Sequence, residues 1–342
     1  MAFLEVVKNS KKTLCAPFVS FPGTVFTNST VKENLNNGKL QATSIIALQK
    51  TCNFDVIFPM MDLTVEAEAM GACINWEIDE LPAVTGKTVL DTNDVKNLPI
   101  PEVGEGNRLG VFVETCKELR KEFSDKWVWG YVLGPFSIAG RLMGMTEISI
   151  AIKLEPELVH QILEKVNTLI EKYASALLAT GIDGLVILEP ASGMLDEYDA
   201  NEFSNNYIKR TVNLIKDKGK IPILHNCGKV LHLVESLCAT GIQALHVGSV
   251  TEPYDIYPRI PDDIVLMGNL NPTEIFLQGT PEKLKDATIT LLKQMAGYNR
   301  FVISSGCDIP PGTPIENLKV FKEVVDSIKH SMNNDSQKGI SL

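Results

Sequence analysis

Three short apolar runs set the architecture of this chain: Gly184-Leu-Val-Ile-Leu188, Ile221-Pro-Ile-Leu224 and Ala244-Leu-His-Val247. Apart from His246, each run is apolar at every position instead of alternating, which is typical of a β-strand that is buried on both faces. A helical stretch, residues 201–217, separates the first two runs and is followed by Gly219, a residue that commonly ends helices. This order of strand, helix and strand predicts a parallel sheet built from βαβ units.

The same alternation extends along most of the chain. Further strands are predicted at residues 17–21, 54–58, 127–133, 264–267 and 301–303, and further helices at residues 156–179, 281–295 and 313–329. Eight strands with helices between them predict an α/β fold, namely a closed (β/α)8 TIM barrel with extra N-terminal segments. An open doubly wound sheet is the alternative, because strands are difficult to count from a single sequence.

The domain organisation follows from this alternation. Residues 1–330 are expected to form a single barrel domain, and the polar tail, residues 331–342, is expected to be disordered. Two segments, residues 28–39 and 79–108, lie outside the repeat and are expected to form loops or a small cap.

Composition and charge exclude several classes of protein. A formal net charge of −10 with no basic stripe argues against binding to nucleic acid. No apolar run has the length of a membrane span, and the first residues lack the apolar core of a signal peptide. Seven cysteines, an odd number spread thinly over 342 residues, are typical of a reduced, cytoplasmic protein. We therefore expect no membrane and no nucleic-acid partner.

A candidate metal site stands out among the polar residues. His225 and Cys227 follow the run that ends at Leu224, and Cys307 follows the last predicted strand. Two residues spaced two apart at a strand end place their side chains on the same side, and a closed barrel brings its last strand near the middle ones. Two thiolates and one imidazole are a ligand set that Zn²⁺ prefers, and three protein ligands leave a fourth position open for chemistry.

A barrel would place further polar residues at the same rim as the candidate metal site, because the catalytic residues of such barrels lie on the loops after the strands. The candidates at these positions are Asp62, Glu189 and Asn269, together with the three metal ligands. Glu189 is a candidate for the fourth zinc position or, equally, for an acid that caps a helix or supports a ligand. Asp62 either lines the pocket or orients a loop.

The motifs around these residues resemble those of the uroporphyrinogen decarboxylase superfamily. The matching stretches are Leu224-His-Asn-Cys-Gly228, Gly268-Asn-Leu-Asn-Pro272, Gly306-Cys-Asp-Ile-Pro-Pro311 with Asn317, Gly134-Pro-Phe-Ser137, and Asp62 with Glu66 and Gly71. The resemblance covers residues 54–325 and is strongest to the methylcobalamin:coenzyme M methyltransferase branch and its corrinoid-dependent relatives. It implies a (β/α)8 barrel, a zinc ion held by His225, Cys227 and Cys307, and methyl transfer.

The resemblance also implies a donor and an acceptor for the methyl group. The sequence has no Asp-x-His-x-x-Gly motif to ligate cobalt, so methylcobalamin or another corrinoid is expected on a separate partner protein. The acceptor is expected to be a small thiol similar to coenzyme M, which binds at the open zinc position.

Other functions stay open from the sequence. One is the reverse direction, in which a methylated O- or N-methyl substrate donates to the corrinoid and zinc acts as a Lewis acid. Others are metal-assisted hydrolysis, a non-catalytic zinc-binding protein, and a lyase similar to uroporphyrinogen decarboxylase. The last is disfavoured because residues 17–28 contain no Arg or Lys, and a substrate with eight carboxylates needs cationic partners.

Overall fold

The computed structural model describes residues 3–104 and 106–328. The predicted disordered tail, residues 331–342, lies outside the described residues, as does the last residue of the predicted helix 313–329. Among the described residues, no helix is both long enough and apolar enough to cross a membrane.

The centre of the fold is a parallel sheet. The nine strands of the described chain are β1 (Val56–Ile57), β2 (Cys73–Asn75), β3 (Ala83–Thr85), β4 (Trp127–Leu133), β5 (Gly184–Leu188), β6 (Ile221–Asn226), β7 (Ala244–Val247), β8 (Val265–Leu270) and β9 (Phe301–Ser305). Seven of them form one curled sheet in the order β1-β4-β5-β6-β7-β8-β9, whereas β2 and β3 form a separate antiparallel hairpin. The order in space follows the order in sequence, so the predicted barrel is confirmed and the open doubly wound alternative is not.

A short extended segment near the N-terminus joins the two edges of the sheet. Cys15 forms a parallel bridge with Ile303 of β9, and the Ala16 amide donates to the Ile303 carbonyl at 2.9 Å. On the other side, the amide of Asp55, just before β1, donates to the Cys15 carbonyl at 3.0 Å. This segment therefore occupies the eighth strand position, although its backbone pairing is limited to a few hydrogen bonds.

The predicted first strand, residues 17–21, is wrong in position. The pairing is centred on Cys15, and Phe21–Gly23 forms a 3-10 turn. The run is apolar for another reason: Phe18 is fully buried inside the barrel, where its ring stacks on His246 with centroids 4.0 Å apart. Side-chain burial, not strand pairing, accounts for this apolar stretch.

Three strands extend beyond their predicted ends. β6 includes His225 and Asn226, β8 includes Asn269, and β9 includes Ser304 and Ser305. His225 pairs in register with Leu188 of β5 and His246 of β7. These polar residues therefore lie within the ladder, so regular backbone hydrogen bonds fix where their side chains begin.

Helices follow the strands and cover the sheet. The α-helices are Phe3–Asn9, Thr24–Thr27, Val31–Leu35, Gly38–Cys52, Val65–Ala69, Thr92–Asn97, Arg108–Glu122, Pro135–Met143, Met145–Leu154, Pro156–Ala179, Glu197–Ala200, Asn206–Asp217, Val234–Cys238, Pro253–Ile256, Pro281–Gln294 and Ile315–Ser327. Short 3-10 turns lie at Phe21–Gly23, Pro190–Met194, Leu231–Leu233 and Tyr257–Arg259, and π-helical turns lie at Asn201–Asn205 and Pro272–Leu277.

The two segments predicted as loops or a small cap contain regular structure. Residues 28–39 include the helix Val31–Leu35, which begins with a capping box between Thr30 and Glu33. Residues 79–108 include β3 and the helix Thr92–Asn97, which begins at the capping residue Asp91. The antiparallel hairpin of β2 and β3 was not predicted, and β2 lies entirely before the predicted segment.

One buried carboxyl group of the fold is Glu66, in the helix Val65–Ala69. Its side chain is buried, and one carboxyl oxygen accepts a hydrogen bond from the amide of Leu133 at the end of β4, at 2.8 Å. Burial raises the pKa of Glu66 to about 7, although the Leu133 amide opposes that shift. The folded protein therefore keeps a proton on Glu66 up to about pH 7, whereas the unfolded chain releases it near pH 4.5.

This raised pKa predicts a loss of stability with rising pH. The contribution of Glu66 is fully present below about pH 4.5 and is lost as the pH rises through about 7. Glu66→Gln keeps an acceptor for Leu133 and removes the titration. The free energy of unfolding of Glu66→Gln minus that of the wild type is expected to increase by about 3 kcal/mol as the pH rises from acidic to mildly alkaline values. Urea unfolding followed by circular dichroism measures this gain. The exposed Glu323→Gln is the control, and a pH-independent difference for Glu66→Gln would contradict the assignment.

Candidate active site

The three predicted metal ligands lie together at the C-terminal end of the barrel. His225 is the penultimate residue of β6, Cys227 comes directly after that strand, and Cys307 lies two residues after the end of β9. The candidate ligand atoms of these residues all lie within 4.8 Å of one another, and they are the one such cluster among the described residues. His225 is buried, whereas the two cysteines are partly buried. Their number, type and proximity fit a zinc ion.

The ring of His225 is held by a second histidine. Its Nδ1 atom lies 2.9 Å from Nδ1 of His246 in the neighbouring strand β7. His246 Nε2 in turn lies 2.8 Å from the hydroxyl of Ser304 in β9, and that hydroxyl donates to the Ala16 carbonyl at 2.7 Å. We call this chain of contacts the His225–His246–Ser304 relay.

The relay fixes which nitrogen of His225 carries the proton. Because a carbonyl only accepts, the Ser304 hydrogen is committed to Ala16, so Ser304 must accept from His246 Nε2–H. Nδ1 of His246 is then the acceptor, and His225 must donate from Nδ1–H. Burial, with the adjacent His225 ring, holds the pKa of His246 well below its usual value, which keeps that ring neutral.

With the proton of His225 on Nδ1, its Nε2 atom is unprotonated and has a free lone pair. This nitrogen is buried and has no hydrogen-bond partner among the described residues. An unpaired buried polar atom is costly, so its presence beside two thiols calls for a ligand. A metal ion that binds Nε2 satisfies the atom in the tautomer that the relay imposes.

The two thiols are electronically linked. A hydrogen bond from Cys307 lowers the pKa of Cys227 well below its ordinary value, although burial opposes that shift, and the same bond raises the pKa of Cys307. One thiolate is thus favoured by the protein alone. A bound cation would release the remaining thiol proton as well.

Glu189 ends β5 but is directed toward a helix. Its carboxylate accepts hydrogen bonds from the amides of Phe136 and Ser137, at 3.0 and 2.8 Å, and from the Ser137 hydroxyl. These groups form the first turn of the helix Pro135–Met143. A Cβ atom on Gly134 would lie 2.4 Å from the carboxylate, so the Gly134-Pro-Phe-Ser motif leaves room for Glu189.

Burial raises the pKa of Glu189 to about 7, and the Ser137 bonds oppose the shift. Glu189 is not a member of the ligand cluster described above. Of the two roles that the sequence left open, the contacts support the helix-capping one. A role as fourth zinc ligand stays a prediction.

Asp62 lies in the same part of the barrel, but both of its carboxylate oxygens already have partners. One oxygen forms an ion pair with Arg108, and the other accepts from the amide and hydroxyl of Thr64, at 2.8 and 2.6 Å. Arg108 also contacts the Thr64 hydroxyl at 2.8 Å. With both oxygens committed, Asp62 orients the loop after β1, and direct chemistry by its carboxylate stays a prediction.

Two asparagines brace the loops around the cluster. Asn269 donates to the carbonyls of Thr251 and Gly248, at 2.8 and 3.2 Å, which ties the loop after β7 to β8. Asn226, between His225 and Cys227, donates to the Glu189 carbonyl at 2.6 Å and accepts from the Gly228 amide at 2.8 Å. Both side chains act on backbone, and a direct role of Asn269 in the reaction stays a prediction.

A cavity of about 550 Å³ lies beside the cluster, a size typical of small-molecule sites. Its walls are largely apolar and include Ala83 and Val84 of β3, while Asp62, Arg141, Cys307 and Asp308 supply polar atoms. One oxygen of Asp308 and the hydroxyl of Tyr131 are buried without hydrogen-bond partners among the described residues.

Several of these residues were missed in the sequence. His246 offered a signal, since it interrupts an otherwise apolar strand and a histidine in such a strand needs a hydrogen-bond partner. Arg141, Tyr131 and Ser304 offered none, because their importance comes from neighbours that are distant in sequence.

The family of the chain follows from comparison with known proteins. The family model for uroporphyrinogen decarboxylase (URO-D) matches residues 19–328. Among curated relatives, the methylated-thiol–coenzyme M methyltransferase of Methanosarcina mazei is 25% identical over 288 residues, 83% of this chain and 76% of that protein. The methylcobamide:CoM methyltransferase MtbA of Methanosarcina acetivorans is 27% identical over 297 residues, 84% of each chain.

Decarboxylases are also among the relatives. The uroporphyrinogen decarboxylase of Chlorobium limicola is 28% identical over 286 residues, 79% of each chain. A solved methyltransferase structure from Methanosarcina mazei superposes with a TM-score of 0.84 at 22% identity and covers 95% of this chain and 97% of its own, which confirms the fold. As its motifs predicted, the chain belongs to the uroporphyrinogen decarboxylase family.

Proposed function

We propose that this protein is a zinc-dependent methyltransferase that passes a methyl group from a methylated corrinoid protein to a small thiol. The enzyme class, methyltransferase, is the one predicted from the sequence and is carried in the names of two relatives described above. The observation that carries the proposal is the buried, unpartnered Nε2 of His225 beside two thiols at the edge of the cavity.

His225, Cys227 and Cys307 would hold the zinc ion. When bound, zinc would make an acceptor thiol ionise near neutral pH, where a free thiol is mostly protonated. The relay keeps the lone pair of His225 available, and Asn226 holds the backbone between His225 and Cys227. The apolar cavity walls limit the water around the acceptor sulfur.

The proposed reaction conserves atoms and electrons. The thiol loses its proton to solvent, and its sulfur attacks the methyl carbon of the methylated corrinoid. A carbon–sulfur bond forms, the cobalt–carbon bond breaks, and both electrons of that bond stay with the corrinoid, whose cobalt is reduced from Co(III) to Co(I). In this proposal a separate partner protein supplies the corrinoid, which is consistent with the lack of an Asp-x-His-x-x-Gly motif in the sequence.

Two other activities receive less support. Demethylation of an O- or N-methyl substrate by a mixed carboxylate and thiolate site would need Glu189 at the metal, whereas Glu189 caps the helix Pro135–Met143. Decarboxylation of a substrate with eight carboxylates would need several cations, yet Arg141 is the one cationic side chain that lines the cavity in the part of the chain described.

Metal content tests the proposed ligands. The purified wild type is expected to hold about one zinc ion per chain, the stoichiometry of a single three-ligand site. Cys307→Ser and His225→Gln are expected to lose most of it, because each removes one of three ligands. Atomic emission after dialysis measures the content. The exposed Cys73→Ser is the matched control, and stoichiometric zinc in Cys307→Ser would contradict the site.

Methyl transfer tests the activity itself. Zinc-loaded protein mixed with methylcobalamin and 2-mercaptoethanesulfonate is expected to consume the cobalt–methyl absorbance and to form a thioether. Cys307→Ser is expected to lower the rate by about 100-fold or more, since the acceptor thiol would no longer be activated. Methylation of Co(I) by an aryl methyl ether, with no turnover of any thiol, would reverse the proposed direction.

The relay predicts an effect of His246 on metal affinity. His246→Leu removes the acceptor for His225 Nδ1–H, so zinc affinity is expected to fall by about 10–100-fold. His246→Asn places an oxygen near the position of Nδ1 and is expected to retain most of the affinity. Competition with a chromophoric chelator measures both. Both variants lose the Ser304 contact, so equal affinities would mean that the acceptor has no role.

A further inference from the structure

The hairpin of β2 and β3 supplies one wall of the cavity without belonging to the barrel sheet. Residues of β3 and its flanks line the same cavity as Cys307, namely Leu81, Pro82, Ala83, Val84 and Gly86. Within the described chain, the two strands form backbone hydrogen bonds only with each other. This wall can therefore move without breaking the ladder of the barrel.

The base of the hairpin is fixed on both sides. The Ala72 amide donates to the Ala67 carbonyl at 2.9 Å, and the Thr88 amide donates to the Leu142 carbonyl at 2.7 Å. Gly86, just before the second of these anchors, has a left-handed backbone with φ of 72°. No heavy atom of the described chain, its two neighbours aside, lies within 4 Å of the place where a Cβ would be. A glycine with free space beside a fixed residue is a suitable hinge.

The tip of the hairpin is held by weaker contacts. The Arg108 guanidinium and the Lys32 Nζ atom lie 4.7 and 5.6 Å from the centroid of the Trp76 ring, which is the range of cation–π interactions. The Ile78 carbonyl accepts from the Lys32 amide at 3.1 Å, and a neighbouring amide donates to the Asp79 carboxylate at 3.3 Å. We call these the tip contacts. The groups on the hairpin side are partly or largely exposed, so the tip contacts can open locally.

Arg108 does not need Trp76 to compensate its charge. Its guanidinium forms ion pairs with Asp62 and Glu68, and it contacts the Thr64 hydroxyl at 2.8 Å. The Trp76 ring can therefore leave Arg108 without creating an unpaired buried charge. Movement of the hairpin also leaves in place the loop after β1, which Asp62 orients.

We propose that the hairpin of β2 and β3 is a lid that turns about Gly86 and opens the cavity to the methylated corrinoid, while the tip contacts hold it closed. The inference rests on the proposed function, for which it specifies how the methyl donor gains access. A cavity of about 550 Å³ suits a small thiol. A corrinoid is a much larger ring and is bound to a partner protein, so a wall beside Cys307 must move before the methyl group meets the sulfur.

A lid predicts a result that a fixed wall does not. A donor that binds only the open form has an apparent affinity that is lowered by the open fraction, so weaker tip contacts raise that affinity. A thiol that fits the cavity in both forms is not affected. Loss of the Trp76 ring should therefore improve the use of methylcobalamin and leave thiol binding unchanged, whereas damage to the fold would weaken both.

Kinetics of three variants measure this difference. Trp76→Leu retains an apolar side chain without the aromatic face, and Lys32→Met removes the more distant cation. Ile78→Ala shortens an exposed side chain of the same hairpin and is the matched control. With zinc-loaded protein and saturating 2-mercaptoethanesulfonate, kcat/KM for methylcobalamin is expected to rise about three- to tenfold in Trp76→Leu, the range of one cation–π contact, and by less in Lys32→Met. The dissociation constant of the thiol, measured by calorimetry without methylcobalamin, is expected to stay within about twofold in all three.

Fluorine NMR observes the lid without any turnover. Protein labelled with 5-fluorotryptophan carries three probes, Trp76, Trp127 and Trp129. The Trp76 signal is identified by its loss in Trp76→Leu, and the other two lie in β4 of the barrel sheet, where they serve as fixed references. Relaxation dispersion on the microsecond to millisecond timescale is expected for Trp76 alone, because lids move on that timescale. The dispersion is expected to change in Lys32→Met and not in Ile78→Ala.

Two results would overturn the lid. One is a lower or unchanged kcat/KM for methylcobalamin in Trp76→Leu, and the other is a Trp76 signal with no more dispersion than that of Trp129. Either result leaves methyl transfer by the wild type, and with it the proposed function, standing. Absence of methyl transfer by the zinc-loaded wild type would instead overturn the proposed function, and the fluorine signal of Trp76 would then decide alone whether the hairpin opens.

Discussion

The hydrogen bond between His225 and His246 is the contact on which the candidate site depends. It joins two adjacent parallel strands inside the barrel, where both rings are buried from bulk solvent and the loss of a hydrogen bond is costly. The contact to Ser304 and then to Ala16 extends it across β9 to the N-terminal segment. The state of the His225 imidazole is therefore determined by groups from three other parts of the chain, namely β7, β9 and the N-terminal segment.

The interior of the barrel supports the same ring from another direction. Phe18 stacks on His246 and contacts His225 edge-on, with ring centroids 4.0 and 5.2 Å apart. The Phe18 amide donates to Ser305, and its carbonyl accepts from Ile309, which lies two residues after Cys307. The segment around Phe18, whose ring fills the barrel interior, is thus hydrogen-bonded to the loop that contains Cys307, the third candidate ligand.

Most of the fold could be predicted from the sequence, because buried parallel strands are short apolar runs and their helices carry clear end signals. The ranges of β4, β5 and β7 match their predictions fully. The first strand was misplaced because residues 17–21 are apolar for core packing, which a one-dimensional pattern does not separate from strand pairing. The hairpin was missed because β2 and β3 are short and partly exposed.

The candidate ligands could also be predicted, since residue type, spacing and strand ends all agreed at His225, Cys227 and Cys307. Their supports could not. The roles of His246 and Arg141 depend on their neighbours in space. For His246 these are set by strand register, which places it beside His225. For Arg141 they depend on acids such as Asp62 that already pair with another arginine. Glu189 illustrates the same limit: its place after β5 was predicted, but its direction is set by the amides of a helix that precedes it by about fifty residues.

The closure of the barrel by a few residues around Cys15 has a consequence for assembly. The carbonyl of Ala16 is the last acceptor of the relay, so a chain whose N-terminal segment has not docked offers no fixed orientation to the imidazole. Metal capture would then come late in folding, after the first and last parts of the chain have met. In the proposed zinc enzyme, the ion would therefore bind only to chains whose barrel has closed, because closure is what fixes His225 with its Nε2 atom free to bind the ion.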